Sequence, residues 1–598
     1  MKFAMGTISQ SLRKASLPVL MSALLLTGCQ DDQATSGAQA ADLMASVPAD
    51  TPYVFASLSD LPDDAYKYQM GLFAPHVINL LDKVRDGINS DDSSSDEEKQ
   101  KALAVFDLVS NYFADESNWD QHRAVVYGLG MFPVVRVAVD DPAATLADLQ
   151  ELHQNLGSQP EQETRFGGDL FKLPVEHAEM TFYYGVNQGQ FIATILPQSA
   201  DDLASQALGG SAPASAYAVA ELEQLAQQRG YNTGFLGFVD TLKFFDRLVS
   251  DTGPEADWLQ AMSAAHQESD IDFSNISAEC KQEFRGFAEM MPHMDWGITK
   301  YEKTRVESGS FYQLRPDIAQ GILGFTGSVP GLSQDPGGDM SVSTSFQVGP
   351  LRDFVLEMAR NVEAEPYTCE SLLELNQTAQ QMLAQAGTTL PPFAGQIRGL
   401  KVRMDNMEAS VAGGTPNMSM ALFVENAELL VSMMQIFLPQ LAEMELPTDG
   451  TPQRIDESLG AMVPQAGSEP LFAALTESAL GVALGEPQAE ILPVLMNEKG
   501  SDGGILLSYF IDYSAFGKFQ EGVIDQTDAE LEAELQALID AGELSDEEIA
   551  NRRAHSKMGQ QMMEDVLAIY EVIGRVGAWV KPTAEGLEVH QTQDYIEQ

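Results

Sequence analysis

Apolar residues recur along this chain with two periods. Short alternating or continuous apolar runs of the strand type lie at residues 53–58, 124–127, 134–139, 180–186, 190–196, 235–239, 296–304 and 310–314. Runs with helical spacing follow several of them, and an acidic cap often marks the junction. Asp140-Asp141-Pro142 predicts a helix start. The buried face of that helix is Leu146, Leu149, Leu152 and Leu156, and Gly157 is its stop. Ser199-Ala200-Asp201-Asp202 caps a second helix, and Asp240 caps a third that buries Leu242, Phe245 and Leu248. Further helices are predicted from residues 60–64 to 86, over 97–113 and over 279–291. Gly128-Leu129-Gly130 lies between two strand runs, so it is a turn and not a dinucleotide-binding loop. Asn187-Gln188-Gly189 closes a hairpin.

The same order returns further along. Residues 326–340 hold Gly-Ser, Pro-Gly and Pro-Gly-Gly clusters and read as a linker. Residues 341–348 then alternate and lead into a helix through Phe354, Met358 and Val362, as residues 53–58 lead into theirs. Residues 419–424, with Glu425 and a helix through Leu429 and Met433, match 134–139 and Asp140. Residues 481–484 match 192–196, and 504–511 before Asp512 match 234–239 before Asp240. The closing helix and strand pair, 558–573, 577–581 and 587–592, match 283–291, 297–304 and 310–314. Two capping boxes, Thr527-Asp528-Ala529-Glu530 and Ser545-Asp546-Glu547-Glu548, flank Gly542 and predict an inserted helical hairpin over 527–573. Hairpins and short connections favour antiparallel pairing. The fold expected is α+β: two related halves, 47–325 and 341–598, each a largely antiparallel sheet covered by helices.

Charge narrows the function. The chain carries 34 basic and 88 acidic residues. Removing residues 1–28 takes away Lys2, Arg13 and Lys14 and no acid, leaving a formal −57. A phosphate backbone would be repelled, which excludes nucleic acid as a partner and disfavours an anionic lipid surface. A solvated acidic surface accounts for the excess. The acidic run 91–98 lacks the glycine turn and alternating oxygens of a calcium loop and reads as solvated.

The amino terminus adds an address. A basic segment without acids precedes a short apolar stretch, 17–26, and then Leu26-Thr27-Gly28-Cys29. This motif resembles the lipobox of bacterial lipoproteins. The resemblance implies a signal peptide, 1–28, cleaved before Cys29, and acyl chains (palmitate among them) on Cys29 and the new amino terminus. Several chains are needed for stable anchoring. It implies a lipidated tether over 29–46 and attachment to the cell envelope membrane. Gln30 after the cysteine points to the outer membrane, with the folded region facing the periplasm. In that oxidising compartment the remaining pair, Cys280 and Cys369, is expected to form a disulfide tying the end of one half to the start of the other. The mature region is also similar to uncharacterised exported bacterial proteins with repeated α+β units, from which no activity follows.

Catalytic motifs are few. The chain has no GxxxxGK, HExxH or GxSxG pattern, and its residues nominate no catalytic, cofactor-binding or metal-ligating side chain. His293 and Asp295 beside Trp296 could orient an imidazole for metal or base work, but they read better as structural. Methionine pairs at 290–291, 433–434 and 562–563 suit adaptable apolar contacts or a soft metal, with core filling as the plainer use. The expectation is a non-enzymatic binding or scaffold lipoprotein with an envelope protein partner. A carrier or chaperone for a hydrophobic ligand such as lipid is the first alternative, and a hydrolase assembled from distant residues the second.

Overall fold

A computed structural model describes residues 36–90, 119–155, 160–175, 179–265, 277–386, 392–411, 417–437, 446–455, 469–497, 504–541 and 567–596, with isolated positions between 103 and 116 and at 549, 552, 553 and 563. Cys29 and the lipobox, the acidic run 91–98, most of the helix expected at 97–113, Leu156, Gly157 and the capping box at 545–548 lie outside the described residues. Two compact units divide the chain. One takes the residues below 277 together with His293–Val306, and the other takes Ser277–Pro292 and the residues from Glu307 onward.

The first unit contains β1 (Tyr53–Ser57), β2 (Ala124–Leu129), β3 (Phe132–Ala138), β4 (Glu161–Arg165), β5 (Gly168–Val175), β6 (Met180–Asn187), β7 (Gln190–Pro197), β8 (Leu236–Asp240) and β9 (His293–Glu302). Their order is β9-β8-β1-β2-β3-β7-β6-β5-β4, and every neighbouring pair is antiparallel. The β6–β7 hairpin turns through Gln188 and Gly189, both at positive φ, as a two-residue turn between right-twisted strands requires. One sheet face is covered by α1 (Ser36–Met44), α4 (Asp201–Ala207) and α5 (Val219–Arg229), which set Leu43, Met44, Ala204 and Leu222 on Val54, Val125, Tyr127, Ile192 and Leu236. Between these helices in sequence lie α2 (Asp63–Ser90) and α3 (Pro142–Asn155). The second places Leu149 on Val137, Phe182 and Phe191 of the opposite face. Two short helices follow β8: α6 (Thr241–Leu248) and α7 (Pro254–Ala265).

The second unit begins with α8 (Ala278–Met290). Its strands are β10 (Arg305–Gln313), β11 (Met340–Ser345), β12 (Ile397–Asp405), β13 (Asn417–Val424), β14 (Gln453–Arg454), β15 (Leu471–Leu475), β16 (Ala479–Leu484), β17 (Leu507–Asp512), β18 (Ile573–Pro582) and β19 (Gly586–Tyr595). The order is β10-β19-β18-β17-β11-β12-β13-β16-β15-β14. Its other helices are α9 (Pro316–Phe325), α10 (Val348–Ala364), α11 (Leu373–Gln385), α12 (Glu408–Val411), α13 (Ala427–Phe437), α14 (Glu486–Asn497) and α15 (Tyr513–Asp540).

The fold is α+β in two related halves, and the relation holds residue by residue. Setting Ala56 of β1 on Ser343 of β11 brings their cross-strand partners into line: Val125 with Lys401, and Leu236 with Ser508. One strand further, Arg136 falls on Ala421, then Ile192 on Gly481. The same register puts Asp240 on Asp512, and both cap the helix that follows. Asp240 accepts from Lys243 N at 2.9 Å and Asp512 from Ser514 N at 3.0 Å.

Several expectations are corrected. The tether ends earlier than 46: residues 36–44 are helical, and Leu43, Met44 and Val47 are buried in the first core, because an apolar face can pack where a free tether cannot. The Pro-Gly stretch 326–340 is not a free linker, since Val329 and Leu332 are core residues of the second unit. The helix of the expected hairpin begins at Tyr513 and runs unbroken through 527–530, where Thr527 Oγ1 donates back to Val523 O instead of capping. Ala200, not a side-chain acceptor, sits at the N-cap of α4, and α6 leaves Leu242, Phe245 and Leu248 only half-buried. Cys280 of residues 47–325 and Cys369 of residues 341–598 are disulfide-bonded with Cα atoms 4.8 Å apart, as expected, but the boundary between compact units is not at 326–340: Ser277–Pro292 belongs to the second unit, so the bond lies within it. The reason is local packing. Glu283 of α8 accepts from Thr368 N, Thr368 Oγ1 and Cys369 N, and Phe287 stacks on Tyr367 at 5.7 Å.

Candidate functional site

Two polar clusters and one apolar surface stand out. The first cluster surrounds Asp295 on β9. Helix α5 ends at Arg229, Gly230 turns in the left-handed region at φ 74°, and Tyr231 follows. Tyr231 Oη donates to Asp295 Oδ1 at 2.6 Å and Arg229 Nε to Oδ2 at 3.2 Å. The carboxylate is 2% exposed, so this pairing compensates its burial. His293 Nε2 stands 3.9 Å from the same carboxylate, beyond hydrogen-bonding reach, and its ring stacks on Phe238. Burial lowers the His293 pKa; Asp295 and Asp240 oppose that shift, and Arg229 and Lys243 add to it. The arrangement ties a helix end to the sheet, with Asp295 engaged by tyrosine and arginine and not by the imidazole. Trp296, next in sequence, packs edge-on against Phe235.

The second cluster centres on Arg136 of β3, 1% exposed. Its guanidinium donates to Tyr127 Oη at 3.2 Å, Gln190 Oε1 at 2.7 Å and Ala207 O at 2.7 Å. All three acceptors are neutral. Ala207 ends α4, so the cation also sits against the partial negative charge of a helix C-terminus. Burial raises the Tyr127 pKa and the Arg136 charge opposes it. This is a positioning device for α4 on the sheet.

The surface lies on the second unit. Three rows cross five adjacent strands, β17, β11, β12, β13 and β16: Ile511–Met340–Met404–Met418–Leu484, Tyr509–Val342–Val402–Met420–Val482 and Leu507–Thr344–Leu400–Leu422–Leu480. Directly paired residues of antiparallel strands share a face, as do residues two apart along one strand. Of these fifteen positions only Thr344 is not apolar. Val342 and Leu507 are each 38% exposed, Met418 37% and Tyr509 36%. The opposite face is inverted in chemistry. Its rows read Ser508–Ser343–Lys401–Ala421–Gly481 and Phe510–Ser341–Arg403–Ser419–Ala483, yet Ser341, Ser343, Ser419, Ser508 and Lys401 are buried. Small residues there admit close cover. At Gly481 an added Cβ would stand 2.5 Å from Met496 Sδ of α14, and Lys401 Nζ lies 5.5 Å over the Phe423 ring.

Comparison with protein-family models, with curated proteins and with solved structures finds no match. Among the described residues no helix is long and apolar enough to cross a membrane, and no group of three or more His, Cys, Asp or Glu is placed to hold a metal ion. Sequence reasoning missed both Arg136 and the apolar surface. The alternation 340–345 was legible, but alternation does not say which of its two sets faces inward. The methionines gathered here, Met340, Met404, Met418 and Met420, are spread over three strands and form none of the sequence-adjacent pairs.

Proposed function

We propose that this protein is a bacterial lipoprotein, acylated at Cys29 and held at the outer membrane with its folded region facing the periplasm. There it acts as a non-enzymatic binding protein. The observation that carries the binding role is the apolar surface on β17, β11, β12, β13 and β16, where Val342, Leu507, Met418 and Tyr509 of its fourteen apolar positions are more than a third exposed. Contiguous apolar surface of this kind marks interaction sites. The occupant is an envelope protein presenting an apolar segment flanked by basic residues. The apolar part suits the surface, and the basic flanks suit a chain of formal −57 after signal removal. The same charge disfavours an anionic lipid headgroup.

The test is site-specific photocrosslinking in cells from positions 342 and 509, with exposed Glu223 of the first unit as control. One envelope protein joined at both surface positions, absent at 223 and lost in Val342→Asp, supports the reading. Crosslinks to lipid alone move it to the hydrophobic-ligand carrier, and no position-dependent crosslink refutes it. The anchor is tested separately. Mass spectrometry of the mature amino terminus should find acyl chains on Cys29, and Cys29→Ala should release the chain from the membrane fraction. An unmodified Cys29 in a membrane-bound protein would overturn the anchor.

A further inference from the structure

We propose that Met340, Met404 and Met418 form a binding site for a soft monovalent cation of the Cu(I) or Ag(I) class, with Met420 beside them as a fourth thioether. The site does not depend on the partner proposed above.

The register carries the argument. Met340 pairs directly with Met404, and Met404 with Met418, so three thioethers occupy consecutive positions of one row across β11, β12 and β13. Directly opposed residues on antiparallel strands have Cβ atoms about 4.5–5.5 Å apart. A methionine side chain is unbranched and rotates freely about three bonds, so sulfurs on neighbouring strands can converge on one ion. Met404 is central, with one thioether on either side. Met420 lies two residues along β13 from Met418, on the same face and diagonal to Met404. Ions can reach the row, since Met418 is among the exposed residues and Met340 and Met404 are only half-buried.

Donor chemistry sets the class. The row ends in Ile511 and Leu484, and the next row supplies Val342, Val402 and Val482. The carboxylates adjacent in sequence, Asp339 and Asp405, are one residue from Met340 and Met404 and therefore belong to the opposite face. Neutral thioethers in an apolar setting are poor ligands for Mg(II) or Ca(II), which take oxygen, and suit soft ions. The strongly acidic chain raises the local concentration of any cation. Four methionines on one face exceed what a merely apolar surface needs, because leucine or valine would serve as well.

The test uses the full mature chain with its disulfide intact. Ag(I), which needs no reductant, is titrated calorimetrically in chloride-free buffer, and Cu(I) is measured by competition with bicinchoninate under ascorbate. One ion per chain is expected. Met404→Leu should weaken binding by about tenfold or more, since even an outer-shell change at a metal site costs that much. The triple change of Met340, Met404 and Met418 to Leu should abolish it. Leucine keeps the surface apolar, so crosslinking from position 342 should survive the triple change, which separates failure of this site from failure of the partner reading. Thermal unfolding of the triple variant should match the parent, which shows that the fold is intact. No binding by the parent, or unchanged binding by a folded triple variant, overturns the proposal; the second result assigns the ion to another donor such as a histidine.

Discussion

Replacing Arg136 by Met tests the reading of the first unit's core most directly. The methionine retains an apolar stem of similar length and removes the guanidinium. Three buried acceptors then lose their donor: Tyr127 Oη, Gln190 Oε1 and Ala207 O. Leaving a buried polar group without a partner costs about 1–3 kcal/mol. The variant also gains, because a charge no longer has to be taken out of water. All three acceptors are neutral, so no uncompensated charge is left behind, and the net loss expected is about 1–3 kcal/mol. Arg136→Lys should cost less than the Met change, since an ammonium restores charge but not the planar fork. Urea unfolding of the full chain reads the effect. Trp119, Trp258 and Trp296 lie in the first unit and Trp579 in the second, so a Trp579→Phe background confines the fluorescence to the unit being tested. A loss below about 1 kcal/mol for Arg136→Met would show that the acceptors find other partners and refute the argument.

Other consequences follow from single contacts. Burial lowers the pKa of both His293 and His153 in the folded first unit, so the unfolded chain protonates first. Stability is therefore fully present above the unfolded value of about 6.5 and falls as pH drops through it. Unfolding free energies at pH 7 and pH 5 should show the decline, and His153→Gln with His293→Gln should flatten it. A decline that persists undiminished in the double variant would place the titration elsewhere. Reducing Cys280–Cys369, 89 residues apart in sequence, should destabilise the second unit by up to about 4–5 kcal/mol on chain-entropy grounds, seen as an earlier Trp579 transition. An unchanged transition would deny the bond a stabilising role. Asp512→Ala removes the acceptor for Ser514 N and Ala515 N and should cost about 1 kcal/mol, measured by the same transition, whereas no loss would mean that α15 starts without its cap.

The repeat was readable in sequence because it is written in junctions. A strand ending in Asp before a helix is a local signal, and Asp240 and Asp512 keep it although the residues around them differ. The strands at 161–165 and 168–175 were missed for the converse reason. Glu161 to Arg165 carries no apolar alternation, and its strand is held by pairing to β5. The apolar surface was hidden by a deeper ambiguity. In Met340–Ser345 the sets Met340, Val342, Thr344 and Ser341, Ser343, Ser345 alternate, and hydrophobicity alone assigns the first set to the core. The structure does the reverse over β11. The serines are buried, with Ser345 Oγ donating to Gly327 O and Ile505 O, because they are small enough for close cover, and Val342 faces outward. Arg136 shows the same inversion in the first unit: a guanidinium sits where a reader of binary patterns expects an aliphatic side chain. In both cases a local rule is broken at a named position, and such breaks concentrate where a protein has something to do besides fold. At Arg136 the break is compensated by Tyr127, Gln190 and the end of α4, so it ends in structure. At Val342, Tyr509 and Leu507 the apolar side chains remain more than a third exposed. That contrast is why the proposed binding role rests on the sheet of the second unit, and not on the buried polar clusters of the first.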